Sequence, residues 1–326
     1  MIEKKVHITF DYELFFGDST GSVQNCILNP TNKLIELARN KKVNFIFFVD
    51  AGYLYKLNQF SNYPKAEADL KLITEQLRLL VLEGHEIGLH VHPHWEDCIY
   101  DGDKWEMSIK RYKLSDFSLP EATAIINKYN QFLELVAQVK VKSFRAGGWC
   151  IQPFSFFKEA LIANQIYIDS SVFYNGFHQY TAHAYDFRNA PAISEWNFND
   201  NECKPEKNGI FTEMAITSDR IHPFFYISLY LKMKMNPLRF KPEGDGMWLK
   251  DKGKIYRQFY SYTNHFACSD GFFASRLKSI LDQVLNKNLN RMVVLGHPKS
   301  LAQCSYSYLA DFIDYANEKN YKISVF

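Results

Sequence analysis

At 326 residues the chain exceeds the usual size of one domain, yet barrel folds of roughly 200 to 400 residues commonly form a single unit, so length forces no split. Hydrophobic residues at 47% and charged residues at 23% supply a large core and exclude an extended, disordered chain. A net charge of +2, from 38 basic and 36 acidic side chains, leaves no long-range field that would select nucleic acid or an anionic membrane.

Lys5 to Phe10 is rich in β-branched and aromatic residues and predicts a core strand, with Asp11 at its C-terminal end. Pro30-Thr31 precede Leu34, Ile35, Leu37 and Ala38 at helical spacing, and Val43 to Val49 reads as a second buried strand, completing a β-α-β unit. Leu70, Ile73, Leu77, Leu80 and Val81 repeat at helical period and stop at Gly84, a C-cap position. Glu86 to Leu89 then start a third strand, and His90 to His94 follow its end. Ser118-Leu119-Pro120-Glu121 has the form of a capping box and opens a helix carrying Ile125, Ile126, Tyr129, Leu133 and Val136. Val141 to Phe144 predict a fourth strand and Arg145 to Trp149 a turn at its end. Pro153 to Asn164 predict a helix, and Ile166 to Ile168 a strand closed by Asp169.

From about residue 170 to 265 the chain breaks into short, aromatic, Asn-rich and Pro-containing pieces, with one strand over Ile210 to Ala215, which predicts an insertion at a barrel mouth. Within it, the apolar run Phe224 to Leu231 is far shorter than the roughly 20 residues that cross a bilayer. Lysines follow it directly, so it reads as a buried helix, with membrane-surface contact as the alternative. Regularity returns with a helix from Phe272 to Leu285, a strand from Arg291 to Leu295, a helix from Tyr306 to Asn317 and a last strand from Tyr321 to Phe326. His297 sits just past a strand end. Repeated βα units predict one elaborated α/β domain over residues 1–326, a parallel sheet or barrel in which ligands gather at the C-terminal strand ends.

The six cysteines are scattered with no Cys-x-x-Cys pair and read as free thiols. The N-terminal stretch enters a strand pattern at once and lacks the apolar core of a secretion signal, so a cytoplasmic location is expected. The aromatic share of 16% reads first as core filling, although Trp95, Trp149, Trp196 and Trp248 could also stack on a sugar.

Three histidines at alternate positions, His90, His92 and His94, point to a metal: His90 and His94 converge if the turn is tight, His90 and His92 if the backbone stays extended. Asp11 and Glu13 supply two carboxylates beyond the first strand, and a hydrolytic metal site needs both an oxygen ligand and a base for water. Arg145 could pair with a carboxylate and hold it ionised. His297, before Pro298, is placed to protonate a leaving group.

Together these pieces resemble the NodB-type polysaccharide deacetylase family, a resemblance that implies a distorted (β/α) barrel of about seven strands with an aromatic-rich insertion. Thr9-Phe10-Asp11-Tyr12-Glu13 stands where the family has Thr-Phe-Asp-Asp. The resemblance implies Asp11 as catalytic base and, with Tyr12 in place of the second Asp, Glu13 as metal ligand; Asp11 is the alternative third ligand. The family's His-x-x-x-His pair is matched by His90 and His94 after Gly84-His85-Glu86-Ile87-Gly88, leaving His92 without an assigned role. Arg145 matches the Arg that orients the catalytic Asp, but Gly147-Gly148-Trp149 departs from the usual continuation. Leu295-Gly296-His297 matches the motif of the general acid. The match covers about residues 5 to 170 and 270 to 326. It implies a divalent cofactor, zinc first, an oxyanion met by the N–H of Gly148 beside Trp149, and an acetylated sugar or glycan as substrate. Two other classes remain open: an amidohydrolase or phosphoesterase barrel, suggested by His90-Val91-His92, and a noncatalytic sugar-binding barrel.

Overall fold

The computed structural model describes residues 3–17, 19–180, 182–247 and 257–326. Trp248 therefore lies outside the described residues. The chain divides into a terminal unit, residues 1–45 with 216–325, and a central unit, residues 46–215 with 326.

In the terminal unit the strand Lys5–Tyr12 runs parallel to Arg291–Gly296, in register from Lys5 with Arg291 to Phe10 with Gly296, and pairs with the short strand Lys322–Ile323. Val6, Ile8 and Phe10 are fully buried, as are Met292 to Leu295, which accounts for the near-continuous apolar runs of a sheet covered on both faces. The cover comes from helices Asn29–Lys41, Leu277–Asn286 and Gln303–Glu318. The first ends where Lys42 turns left-handed at φ 55°.

The central unit carries strands Ile46–Asp50, Glu86–Val91, Ser143–Ala146, Ile168–Asp169 and Phe211–Met214, all parallel and side by side in chain order. Neighbouring in chain order without reversal is the winding of a (β/α) barrel; a doubly wound sheet reverses at a switch point. The α/β class and barrel-type winding predicted from the sequence are the ones adopted. Helices Ala51–Gln59, Pro64–Leu82, Leu119–Ala137 and Lys158–Ala163 connect the strands. The expected capping box forms: Ser118 Oγ accepts from Glu121 N–H, and a Glu121 carboxylate oxygen accepts from Ser118 N–H at 2.8 Å.

Several boundaries move. The third strand runs on through His90 to Val91, so His90 lies inside it. The fourth strand is Ser143–Ala146, two residues later than Val141 to Phe144, because Gln138 turns left-handed and Val141 N–H is taken by Glu134 in the connection. Arg145 is thereby a strand residue. The helix expected over Phe272 to Leu285 is a 3-10 stretch, Gly271–Arg276, followed by the α-helix Leu277–Asn286; that over Pro153 to Asn164 divides similarly, into Phe154–Phe156 and Lys158–Ala163. The irregular region is also less of an insertion than expected. Phe211–Met214 extends the parallel sheet beside Ile168–Asp169, with Glu195–Phe198 antiparallel on its other side. The helix Pro223–Met235 is not buried as expected: Phe224 is 73% and Met235 84% exposed.

All six cysteines are free and buried. The aromatic surplus does fill cores, with Phe10 and Phe45 in edge contact in one unit and Phe47, Phe48, Phe144 and Phe154 fully buried in the other. No helix among the described residues is long and apolar enough to cross a membrane.

Candidate active site

The polar groups at the strand ends divide between the two units. In the terminal unit the first strand delivers two carboxylates to one side. Side chains alternate along a strand, so Asp11 and Glu13 share a face while Tyr12 between them turns into the core, where burial pushes its phenol well above the ordinary range. The same alternation puts Glu13, like Asp11, on the face opposite Tyr12.

The parallel strand Arg291–Gly296 ends at His297. Its Nε2 lies 3.7 Å from Asp11 Oδ2 and 3.8 Å from Glu13 Oε1. Its Nδ1 is 2.8 Å from Asp270 Oδ2, and its backbone N–H donates to Asp270 Oδ1 at 2.7 Å. One carboxylate thus fixes both main chain and ring, with Nδ1–H donating to Asp270 and Nε2 turned toward the two acids. Burial alone would lower the imidazole pKa, but Asp270 first, then Asp11 and Glu13, outweigh it and hold the group above its ordinary value. Two residues on, Lys299 is fully buried. Its Nζ donates to Glu13 Oε1 at 2.8 Å and to Leu14 O at 2.5 Å, and it lies over the rings of Phe15 and Phe16 at 5.1 and 4.8 Å. A buried ammonium needs such a set of partners, and it pins one oxygen of Glu13.

In the central unit the histidines sit on the third strand and the turn after it. His90 Nδ1 is 2.9 Å from Arg145 O. A carbonyl only accepts, so Nδ1 carries the proton and Nε2 the lone pair available to an ion. The backbone remains extended at His92, φ −107° and ψ 96°, so His92 falls on the same face as His90. Their rings are 4.8 Å apart and nearly perpendicular, and their ligand nitrogens lie within 4.8 Å of each other. At Pro93 the chain enters a 3-10 turn and His94 departs, stacking on Tyr112 at 5.3 Å and 8° and on Trp95 at 5.6 Å. His92 and His94 remain neighbours, with ring centroids 5.3 Å apart. Along this run His90 with His92 is the closer neighbouring pair, and His94 lies one ring further along.

The turn that carries Gly147 and Gly148 packs against this strand. A Cβ on Gly147 would meet Val91 O at 2.5 Å and His92 Nδ1 at 2.6 Å, so only glycine lets the turn approach His92. Gly148 is left-handed at φ 58°, and its carbonyl lies 2.6 Å from His183 Nε2. Trp149, also left-handed, sits among Phe173, His183 and Tyr185. Arg145 is fully buried: Nε donates to Ser170 O at 2.7 Å, Nη2 to Ser170 Oγ at 2.9 Å, and the guanidinium lies 4.1 Å from the Phe48 ring centroid. Asp169 and Glu213 face each other across adjacent strands, and burial pushes the pKa values of both carboxyls up.

Of the residues the sequence singled out as one site, Asp11, Glu13 and His297 lie in the terminal unit, and His90, His94 and Arg145 in the central one. Sequence reasoning missed Asp270, Lys299 and Glu213, and left His92 without a role. Asp270 carries the signature used elsewhere, an acid just after a short apolar stretch, Phe266-Ala267-Cys268.

No protein-family model matches the chain, and no curated protein matches it. Among solved structures it is similar to a polysaccharide deacetylase from Bacillus cereus, at 11% identity over 99% of this chain and 92% of that one, with a TM-score of 0.44. It is similar to the peptidoglycan deacetylase PdaC from Bacillus subtilis, at 13% identity over 99% and 88%, with a TM-score of 0.38. A CE4 family pseudoenzyme from Bacillus anthracis is matched at 12% identity over 99% of this chain, with a TM-score of 0.41. The chain spans 63–65% of the length of the pseudoenzyme chains it matches. With identities this low and TM-scores below 0.5, the chemistry has to be carried by this chain's own residues. The solved structures named above are deacetylases of polysaccharide or peptidoglycan and a pseudoenzyme of the CE4 family.

Proposed function

We propose that the protein is a metal-dependent hydrolase that removes N-acetyl or O-acetyl groups from a sugar, polysaccharide or glycan precursor. The single observation that carries this reading is His297, held at Nδ1 by Asp270 and presenting Nε2 to Asp11 and Glu13. A general acid and a general base at the ends of two adjacent parallel strands are what amide or ester hydrolysis requires.

The donor chemistry suits a divalent ion, zinc first: a buried carboxylate, Glu13, and two buried imidazoles, His90 and His92, with His94 beside them. Glu13, His90 and His92 are proposed as the ligands, in place of the expected pair His90 and His94. An ion held there would supply Lewis acidity to the acetyl carbonyl. Asp11 takes the proton of the attacking water. His297, whose protonated form Asp270 favours, returns a proton to the departing amine or alcohol. Arg145 holds the strand ends in place through Ser170, the N–H of Gly148 meets the developing oxyanion, and Trp149 lines the sugar. Six free cysteines are consistent with a reducing, cytoplasmic setting. The domain proposal is one deacetylase-like unit over residues 1–326.

One observation favours a second reading: the closeness of His90 and His92 is also the His-x-His arrangement of amidohydrolase barrels. Assaying acetate release from acetylated amino sugars beside hydrolysis of small amides and phosphoesters separates the two. For the first reading, Asp11→Asn should fold, keep its metal and lose at least about a hundredfold in turnover. Acetate release at the wild-type rate in that variant would sink the assignment.

A further inference from the structure

The helix Pro223–Met235 has two apolar sides. Inward, Tyr226 is buried, and Met233 packs with Phe272 and Tyr308 against Phe240, Ala302 and Cys304. Outward, Phe224, Ile227, Leu231 and Met235 recur at i, i+3, i+7 and i+11, which at 100° per residue makes one stripe. They are 73%, 38%, 50% and 84% exposed, and Leu238 in the following turn is 89% exposed. A helix apolar on both sides has a second face to remove from water, and an exposed apolar patch of this kind marks a contact surface.

The charges beside the stripe indicate which surface. From Ile221 to Pro242 there is no Asp or Glu, while Lys232, Lys234, Arg239 and Lys241 all fall within that span. Lys234 Nζ leans over the Tyr230 ring at 4.6 Å and Lys232 Nζ over Phe272 at 5.0 Å. The next acid along the chain, Glu243, is taken up by Lys33 at 2.7 Å. A near-neutral total charge conceals this local cluster of four cations.

We propose that this face docks on an anionic membrane surface, with the apolar stripe seated at the acyl boundary and the cations against lipid phosphates. The helix is too short to span a bilayer, and in this mode it lies in the plane of the surface. A second copy of the chain fits less well, because a two-fold contact brings the patch onto itself and sets four cations against four.

The test is flotation of the full chain with vesicles of phosphatidylcholine alone and of equimolar phosphatidylcholine and phosphatidylglycerol. Wild type should float with the anionic vesicles and not the neutral ones. Lys234→Gln with Arg239→Gln and Lys241→Gln should weaken that binding about a hundredfold. Phe224→Ser with Leu231→Ser and Met235→Ser should abolish it, and its circular dichroism should match wild type because these side chains are exposed. Equal binding to both vesicle types, no binding to either, or undiminished binding by the cation variant would overturn the proposal. So would a wild-type dimer in sedimentation that the apolar variant converts to monomer, since a second copy would then occupy the face.

Discussion

His297 owes its properties to Asp270, an acid just past a short apolar stretch. Asp270 accepts from both the ring and the main chain, and it is the leading influence that raises the imidazole pKa against burial. If His297 donates the proton to the leaving group, the alkaline limb of kcat/KM reports its deprotonation. Asp270→Asn should move that limb to lower pH, because the carboxylate that most raises the imidazole pKa is removed. A limb unmoved in that variant would mean another group is the acid. The same residue also affects folding: a histidine whose folded pKa lies above its unfolded value adds stability that is complete below about pH 6.5 and fades as pH rises through the folded value. Asp11 and Glu13 were legible because an acid beyond an apolar strand is a visible punctuation. Lys299 was not, since lysine is ordinarily exposed and only tertiary partners make a fully buried one tolerable.

Among the elements, the regular ones were readable and the transitions were not. Ser118 and Glu121 cap their helix as the sequence indicates, and Ile73, Leu77 and Leu80 form the buried stripe of theirs. The third strand was cut short at Leu89 because periodicity does not reveal that His90 and His92 keep alternating; that extension makes the alternate pair the close one. The apolar run at Phe224 to Leu231 was misjudged because an apolar pattern looks the same whether protein or another surface covers it. Phe211–Met214 was found as a strand but not as a member of the sheet, since pairing with Ile168–Asp169 is a tertiary fact. That pairing places Glu213 opposite Asp169, and burial raises both carboxyl pKa values. Above about pH 4 the unfolded chain releases these protons while the folded pair retains them, so stability falls as pH rises toward the raised values, by up to about 1.4 kcal/mol per pH unit for each proton retained. Glu213→Gln should flatten this slope in thermal melts across that range. Parallel slopes for variant and wild type would show that the pair is not titrating there.

At the scale of the whole molecule, the acid-base residues sit in the terminal unit and the histidines in the central one, each group at or just beyond the C-terminal end of a parallel strand. This is where a (β/α) fold gathers its chemistry, whatever the chemistry is. The proposed function depends on metal binding by Glu13, His90 and His92. Zinc content after dialysis against the metal tests this most directly, measured by elemental analysis on wild type and on Glu13→Ala, His90→Ala, His92→Ala and His94→Ala. The account predicts one ion per wild-type chain, affinity lowered by more than about a hundredfold in the first three variants, and retention in His94→Ala. A wild-type chain that takes up no zinc, or a His92→Ala variant that binds it as tightly as wild type, would contradict the account.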